Sequence, residues 1–403
     1  MNKNIILLLF FFFINCLFVT AFNSVSASEL VENSWTTKTP MSQARSGLGV
    51  VAVDGQIYAI GGFGVNGYTG INERYDTKID AWITLKPMST PRGYFAIVTH
   101  QSKIYCIGGI DKNGASESNE VYDTVANKWS TKKSIPYNGG PYISANVVNE
   151  KIFVISGSTL FMYDPNSDSW SEKAHVPDAN YGPYEGDNIA VTVYNKILAF
   201  FNYFKNPSSP LKQKVMIYDT ETDVWREKNV PPYTFPPSGG DAVATTGNYA
   251  LQRVYILQYT SNYVYDPVSD TWSTAKNLPT ERRGFGAAVI NDVLYIIGGY
   301  IPHHFTSHSD YTEPLAIVEQ YVPIGYSPVP LNPEPSDSLV TSKPEPSTSL
   351  LTYFRVAILA IIIIGAIVTT LFFYSKKKMD LRKELGVYGG ITMNHGVRIQ
   401  HTL

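Results

Sequence analysis

Apolar and polar residues alternate in short runs through the body of the chain, and several runs stop at glycine. QIYAIGG ends at Gly61-Gly62, KIYCIGG at Gly108-Gly109, KIFVISG at Ser156-Gly157 and VLYIIGG at Gly298-Gly299. Alternation with a period of two predicts β-strands. Glycine at the stop permits a positive φ or a close backbone approach that a side chain would block. Further along come tyrosine-aspartate pairs, Tyr75-Asp76, Tyr122-Asp123, Tyr163-Asp164, Tyr218-Asp219 and Tyr265-Asp266. A tryptophan follows each tyrosine by seven residues: Trp82, Trp129, Trp170, Trp225 and Trp272. A fixed interval amid variable lengths predicts one rigid hairpin per unit, with insertions left to the loops. Asp76-Thr77-Lys78, Asp164-Pro165-Asn166 and Asp266-Pro267-Val268 supply its turn residues.

The six tryptophans, beginning with Trp35, are separated by 47, 47, 41, 55 and 47 residues. A period of that size predicts the blades of a propeller, each a four-stranded antiparallel sheet. In the first, the strands are expected at Leu48 to Val53, Gln56 to Gly61, Ile71 to Asp76 and Ala81 to Leu85. Two units depart from the pattern, with Phe201-Asn202 and Gln258-Tyr259 where glycines would stand. The ends complement each other: Tyr321 opens a sixth hairpin but is followed seven residues later by Pro328, and Trp35 has no tyrosine before it. A strand around Trp35 that completes the blade ending at Tyr321 closes the ring at six and leaves no free edge.

Diglycine, tyrosine, then tryptophan seven later resembles the kelch repeat, from Trp35 to about Tyr321. The resemblance implies an all-β fold, a six-bladed kelch β-propeller. It also implies that partners bind the loops after the diglycine strand and the loops joining successive blades. Loss of one tryptophan is expected to be the most damaging single change, at about 3 to 5 kcal/mol.

The ends of the chain add a membrane context. Lys3, an apolar run and Val25-Ser26-Ala27 read as a secretory signal peptide over 1–27. The propeller is assigned to 28–325, a Pro/Ser/Thr-rich stalk to 326–352, a transmembrane helix to 353–374 and a short basic cytoplasmic tail to 375–403. Val356 to Tyr374 carries no charge, and Lys376, Lys377 and Lys378 follow it, which places the propeller outside a single-pass type I cell-surface protein. Cys16 falls in the presumed signal and Cys106 stands alone in the body, so no internal disulfide is available and the core must hold itself together.

The formal charge of −2, with acids and bases interspersed, argues against nucleic acid. Counting sixteen residues back from the diglycine position gives Arg45, Arg92, Gly140, Glu185, Ala242 and Arg282. Arg45, Arg92, Arg282 and the adjacent Arg283 suit an anion-holding pocket for a carboxylate or sulfate, facing an acidic side with Glu185, Asp187 and Asp241. The competing reading has these arginines tie the blades together through backbone carbonyls.

His303, His304, His308 and Asp310 crowd one loop, but their spacing is not that of a metal site, so no metal or cofactor is expected. Enzymatic propellers of related type include copper radical oxidases, which need a cysteine bonded to a tyrosine, and Cys106 reads instead as core filler. Sialic acid mutarotases need only placed Arg and Glu groups. The expectation is therefore a non-catalytic recognition module for a protein or glycan ligand, with an extracytoplasmic sugar-processing enzyme as the alternative.

Overall fold

The computed structural model describes residues 30–136, 143–177, 189–204, 211–231, 242–302 and 313–327, with backbone only at 202–204 and 211–212, together with Tyr374 and Lys377. The expected signal, nearly all of the stalk and almost the whole of the span and tail lie outside them. Among the described residues no helix is long and apolar enough to cross a membrane. The chain divides into two units, Met1–Glu334 and Pro335–Leu403, and the sheets belong to the first.

Six four-stranded antiparallel sheets form the ring, as expected. Blade one consists of Gly49–Val53, Gln56–Ile60, Asn72–Asp76 and Ala81–Leu85, each within a residue of the strands read from the pattern. Blade six is built from Gly286–Ile290, Val293–Ile297, Val318–Val322 and, from the other end of the chain, Ser34–Lys38. Trp35 pairs with Tyr321 in register there, so the ring closes as the complementary ends predict. The first strands of the blades line a central channel of about 470 Å³, with side chains such as Val51, Ile97, Ala145, Thr192 and Val289 and none that is charged.

One interaction repeats at every junction between blades. The residue just past the fourth strand of a blade (Thr39, Lys86, Lys133, Ala174, Asn229 or Lys276) gives its N–H to an Asp or Asn of the next blade and accepts the indole N–H of that blade's tryptophan. The carboxylates and amides concerned are Asp80, Asn127, Asp168, Asp223, Asp270 and Asn33, each also accepting the hydroxyl proton of its own blade's tyrosine. All six have positive φ, between 48° and 56°, a conformation Asp and Asn tolerate better than most residues. These residues stand two before each tryptophan, a regularity legible in the sequence but not used in the repeat above.

The tyrosine and tryptophan rings meet 4.8 to 5.1 Å apart in every blade. The depth is the reverse of what size suggests. Tyr75, Tyr163, Tyr218, Tyr265 and Tyr321 are fully buried and Tyr122 nearly so, whereas only Trp129 and Trp225 among the tryptophans are buried. The tryptophan spans the blade junction, while the tyrosine beside it lies deeper in its own blade.

The diglycines act through both properties inferred for them. Gly61 and Gly62 have φ of 61° and 99°, and a Cβ would stand 2.6 Å from the Arg92 carbonyl and 2.7 Å from that of Ser46. Gly298 and Gly299 repeat this against the carbonyls of Arg45 and Arg283, both at 2.6 Å. The approach lets Gly62 N–H bond the Arg92 carbonyl and Gly299 N–H that of Arg45, both at 2.9 Å. Gly157, in the divergent Ser156-Gly157 pair, has the positive φ but no neighbour within 4 Å.

Candidate functional site

One face of the ring carries the connections between second and third strands and those between blades. These vary from blade to blade. In blades one and two they carry small hairpins, Phe63–Gly64 with Gly67–Tyr68 and Ile110–Asp111 with Gly114–Ala115. Blades three and five turn back tightly at Ser156↔Thr159 and Gln258↔Ser261. In blade four the ladder runs on to Phe204↔Leu211. Turn-forming residues and lengths differ here because no neighbouring sheet constrains them.

Arg45, Arg92 and Arg282 lie on three adjacent blades, as counted from the diglycines, but they do not form an open pocket. Each is fully buried. Arg45 bonds Glu73 at 2.7 Å and the carbonyls of Gly61, Ile71 and Ala59. Arg92 bonds Glu120 and the carbonyls of Gly108, Cys106 and Thr90. Arg282 bonds Glu319 at 2.5 Å and the carbonyls of Gly298, Ile317 and Ile296. Burial pulls the Arg45 and Arg282 guanidinium groups below their usual value, with the paired glutamate opposing it.

The anion-pocket reading is thereby corrected for these three, and each guanidinium bonds the carbonyls and glutamate of its own blade, not the neighbouring blade that the competing reading had it tie. Glu73, Glu120 and Glu319 went unnoticed in the sequence, although each stands two before its tyrosine. Blades three, four and five, which lack the arginine, carry Phe161, Met216 and Tyr263 at that place. A buried charge without its partner is costly, so the pair is present whole or not at all.

Arg283 is different. Its guanidinium lies 3.8 Å over the ring of Tyr259, half-buried, two residues before the channel-lining Phe285. Its backbone pairs with Tyr300, whose ring covers Gly284. From Gly284 a line of backbone hydrogen bonds runs through Gly47 to Tyr94, each 2.7 Å. Tyr94 and Tyr259 hold φ of 54° and 53°, an uncommon conformation for a bulky residue and one retained only where the surroundings impose it. The loop face thus presents one arginine and three half-buried tyrosines across blades five, six, one and two. Such a surface can stack on flat groups and form paired hydrogen bonds to carboxylate-like oxygens.

Glu185, Asp187 and Asp241, the expected acidic side, lie outside the described residues, as do His303, His304, His308 and Asp310. Among the described residues no group of three His, Cys, Asp or Glu could hold a metal ion. Cys106 is fully buried, and burial pushes its thiol up to about 12, in keeping with a packing role.

Six radial sheets around a channel, with most of the variation in their connections on one loop face, define a β-propeller. Residues 96–299 match the KLHDC2/KLHL20/DRC7 Kelch-repeats domain, and residues 44–89 and 281–324 match the Kelch motif. The chain belongs to the kelch-repeat family. It is 27% identical over 150 residues to Kelch-like protein 36 of Bos taurus, covering 36% of this chain and 23% of that protein. Kelch-like protein 23 of Homo sapiens is 25% identical over 147 residues, covering 36% of this chain and 25% of its own length. The match thus spans about a quarter of these relatives. The solved structure described as "Structure of YjhT" aligns with a TM-score of 0.54 at 14% identity, over 70% of this chain and 96% of that one, a likeness of fold alone.

Proposed function

We propose that this chain is a membrane-anchored, cell-surface recognition module whose propeller binds a protein ligand on its loop face, around the channel mouth. A glycan is the second ligand class within the same reading. The observation that carries it is Arg283, half-buried over Tyr259 beside Tyr300 and Tyr94, where the three other candidate arginines are locked inside blades. A guanidinium held flat against an aromatic ring keeps its edge for hydrogen bonds and loses little freedom on binding. Kelch membership and the uneven loop lengths agree with recognition by loops.

A sugar-processing enzyme on this face would draw on Arg45, Arg92, Arg282 and Glu185. The first three are buried in ion pairs, so recognition is the reading carried forward. The test uses the full chain in lipid nanodiscs as bait for cell-surface proteins, beside an Arg283→Gln variant. Loss of a captured partner with unchanged thermal unfolding supports the site, and equal capture by both removes it. Faster anomeric exchange of sialic acid in its presence, followed by NMR, would restore the enzyme.

A further inference from the structure

Two tyrosines on the loop face stand where the repeat uses glycine. Gly47 gives its N–H to the Gly284 carbonyl and Tyr94 gives its own to the Gly47 carbonyl, so Tyr94 fills in blade two the place of Gly47 in blade one. The backbone is left-handed at all three, with φ of 62°, 59° and 54° for Gly284, Gly47 and Tyr94. Tyr259 pairs with Arg282 of blade six as Gly62 pairs with Arg92 of blade two, which puts it at a second-glycine position, again with a positive φ of 53°. Glycine takes this conformation readily and tyrosine does not. Strain held at two such positions on one face points to a use for the side chains.

Both rings belong to a row. Phe63 of blade one and Tyr300 of blade six occupy one position, just after the diglycine, and pair with Ser46 and Arg283, the residues that follow the buried arginines. Blades five, six, one and two, consecutive around the ring, thus each present one aromatic side chain: Tyr259, Tyr300, Phe63 and Tyr94. Phe63 is 40% exposed and the tyrosines are half-buried. The row is continuous. Arg283 stacks on Tyr259 and pairs with Tyr300, whose ring lies against Gly284, and the Tyr94 ring lies against Gly47.

We propose that this row binds a proline-rich segment of a partner in the polyproline II conformation, an inference that rests on the loop-face protein recognition proposed above. Sheets packed face to face stand about 10 Å apart, and polyproline II advances about 9 Å in each turn of three residues. One ring per blade therefore meets one residue per turn, and four rings take about ten residues. Aromatic-lined surfaces receive such segments because the helix is formed before binding and little freedom is lost. The hydrogen-bonding chemistry agrees. Polyproline II leaves its carbonyls without partners and proline has no N–H, so the segment accepts, while a guanidinium only donates and tyrosine hydroxyls can donate.

The test titrates the full chain in lipid nanodiscs into fluorescein-labelled dodecaproline, with a Gly-Ser repeat peptide of equal length as the control, and reads fluorescence anisotropy. Dodecaproline is expected to bind and the Gly-Ser peptide not. Tyr259→Gly should weaken binding by about tenfold while the thermal midpoint holds or rises, since glycine suits the backbone there. A tyrosine kept for structure alone would lower the midpoint and leave binding unchanged. Phe63→Ala, at a ring already part exposed, should weaken binding by about threefold with folding intact. Equal binding of the two peptides, no binding of dodecaproline, or binding that neither substitution weakens overturns the proline-rich partner. Capture of a surface protein that depends on Arg283, with no binding of dodecaproline, overturns this inference alone, and failure of both removes the recognition reading with it.

Discussion

The hydroxyl of Tyr321 donates a 2.9 Å hydrogen bond to Asn33, 288 residues earlier in the chain. The same Asn33 oxygen accepts the Lys276 N–H from blade five, and Trp35 gives its indole N–H to the Lys276 carbonyl. These bonds reproduce, between the two ends of the chain, the junction found inside the others. The seam of the ring therefore has the same interactions as any other boundary.

Asn33→Ala removes an acceptor shared by two donors and is expected to cost about 1 to 3 kcal/mol in denaturant unfolding. Asp223→Ala, its counterpart between blades three and four, should cost a similar amount. Deleting residues through Lys38 should do more, because it bares the backbone of Val318–Val322 as an unpaired sheet edge. Light scattering should then show association of the truncated chain.

The Arg45–Glu73 pair invites a double-mutant cycle. Breaking it with Glu73→Met alone leaves a buried guanidinium unpaired and should cost roughly 3 to 5 kcal/mol. Adding Arg45→Met should recover most of the loss, since Met216 stands at the glutamate position of blade four. No recovery would mean that the carbonyl bonds of Arg45 matter more than its charge pair.

Gly298 and Gly157 separate the two reasons for glycine. Gly157→Ala meets no atom within 4 Å and should cost about 1 kcal/mol, the penalty of a positive φ alone. Gly298→Ala adds a Cβ 2.6 Å from the Arg45 carbonyl and should lower stability by several-fold more, read as thermal unfolding of the two variants side by side.

Acid should unfold the ring through its carboxylates. The Tyr163 and Tyr218 hydroxyls hold Asp168 and Asp223 below the usual range, and Lys151 and Lys196 bring Asp164 and Asp219 to about 2. Depressed values mean stability that is present above about pH 4, the unfolded value, and lost as pH falls toward 2. At the alkaline end the sign reverses. Burial raises the blade tyrosines, Tyr122 to about 12 and the others also above their ordinary value, so their contribution is complete below about pH 10 and declines above it. Denaturant midpoints measured from pH 2 to 12 should form a plateau falling at both ends.

Cys106 should resist a thiol reagent such as iodoacetamide in the folded chain at pH 8 and react once the blades are unfolded, because burial keeps it protonated and out of reach. Reaction of the native chain at the rate of a free thiol would contradict the packing of blade two.

By itself the sequence determined the blade unit, the number of blades and the closure at Trp35 and Tyr321, because these follow from a hairpin whose interactions lie within seven residues and recur at every turn. The glycine stops were legible for the same reason. The direction of the arginines was not: Arg45 and Arg283 look alike as letters, and only the positions of Glu73, 28 residues on, and of Tyr259 across a blade boundary decide that one is buried and the other half-exposed. The four amides that converge on Asp292 were equally hidden, because they join a loop of blade five to a turn of blade six, a contact that has no period along the sequence and exists only once the ring has brought the two together.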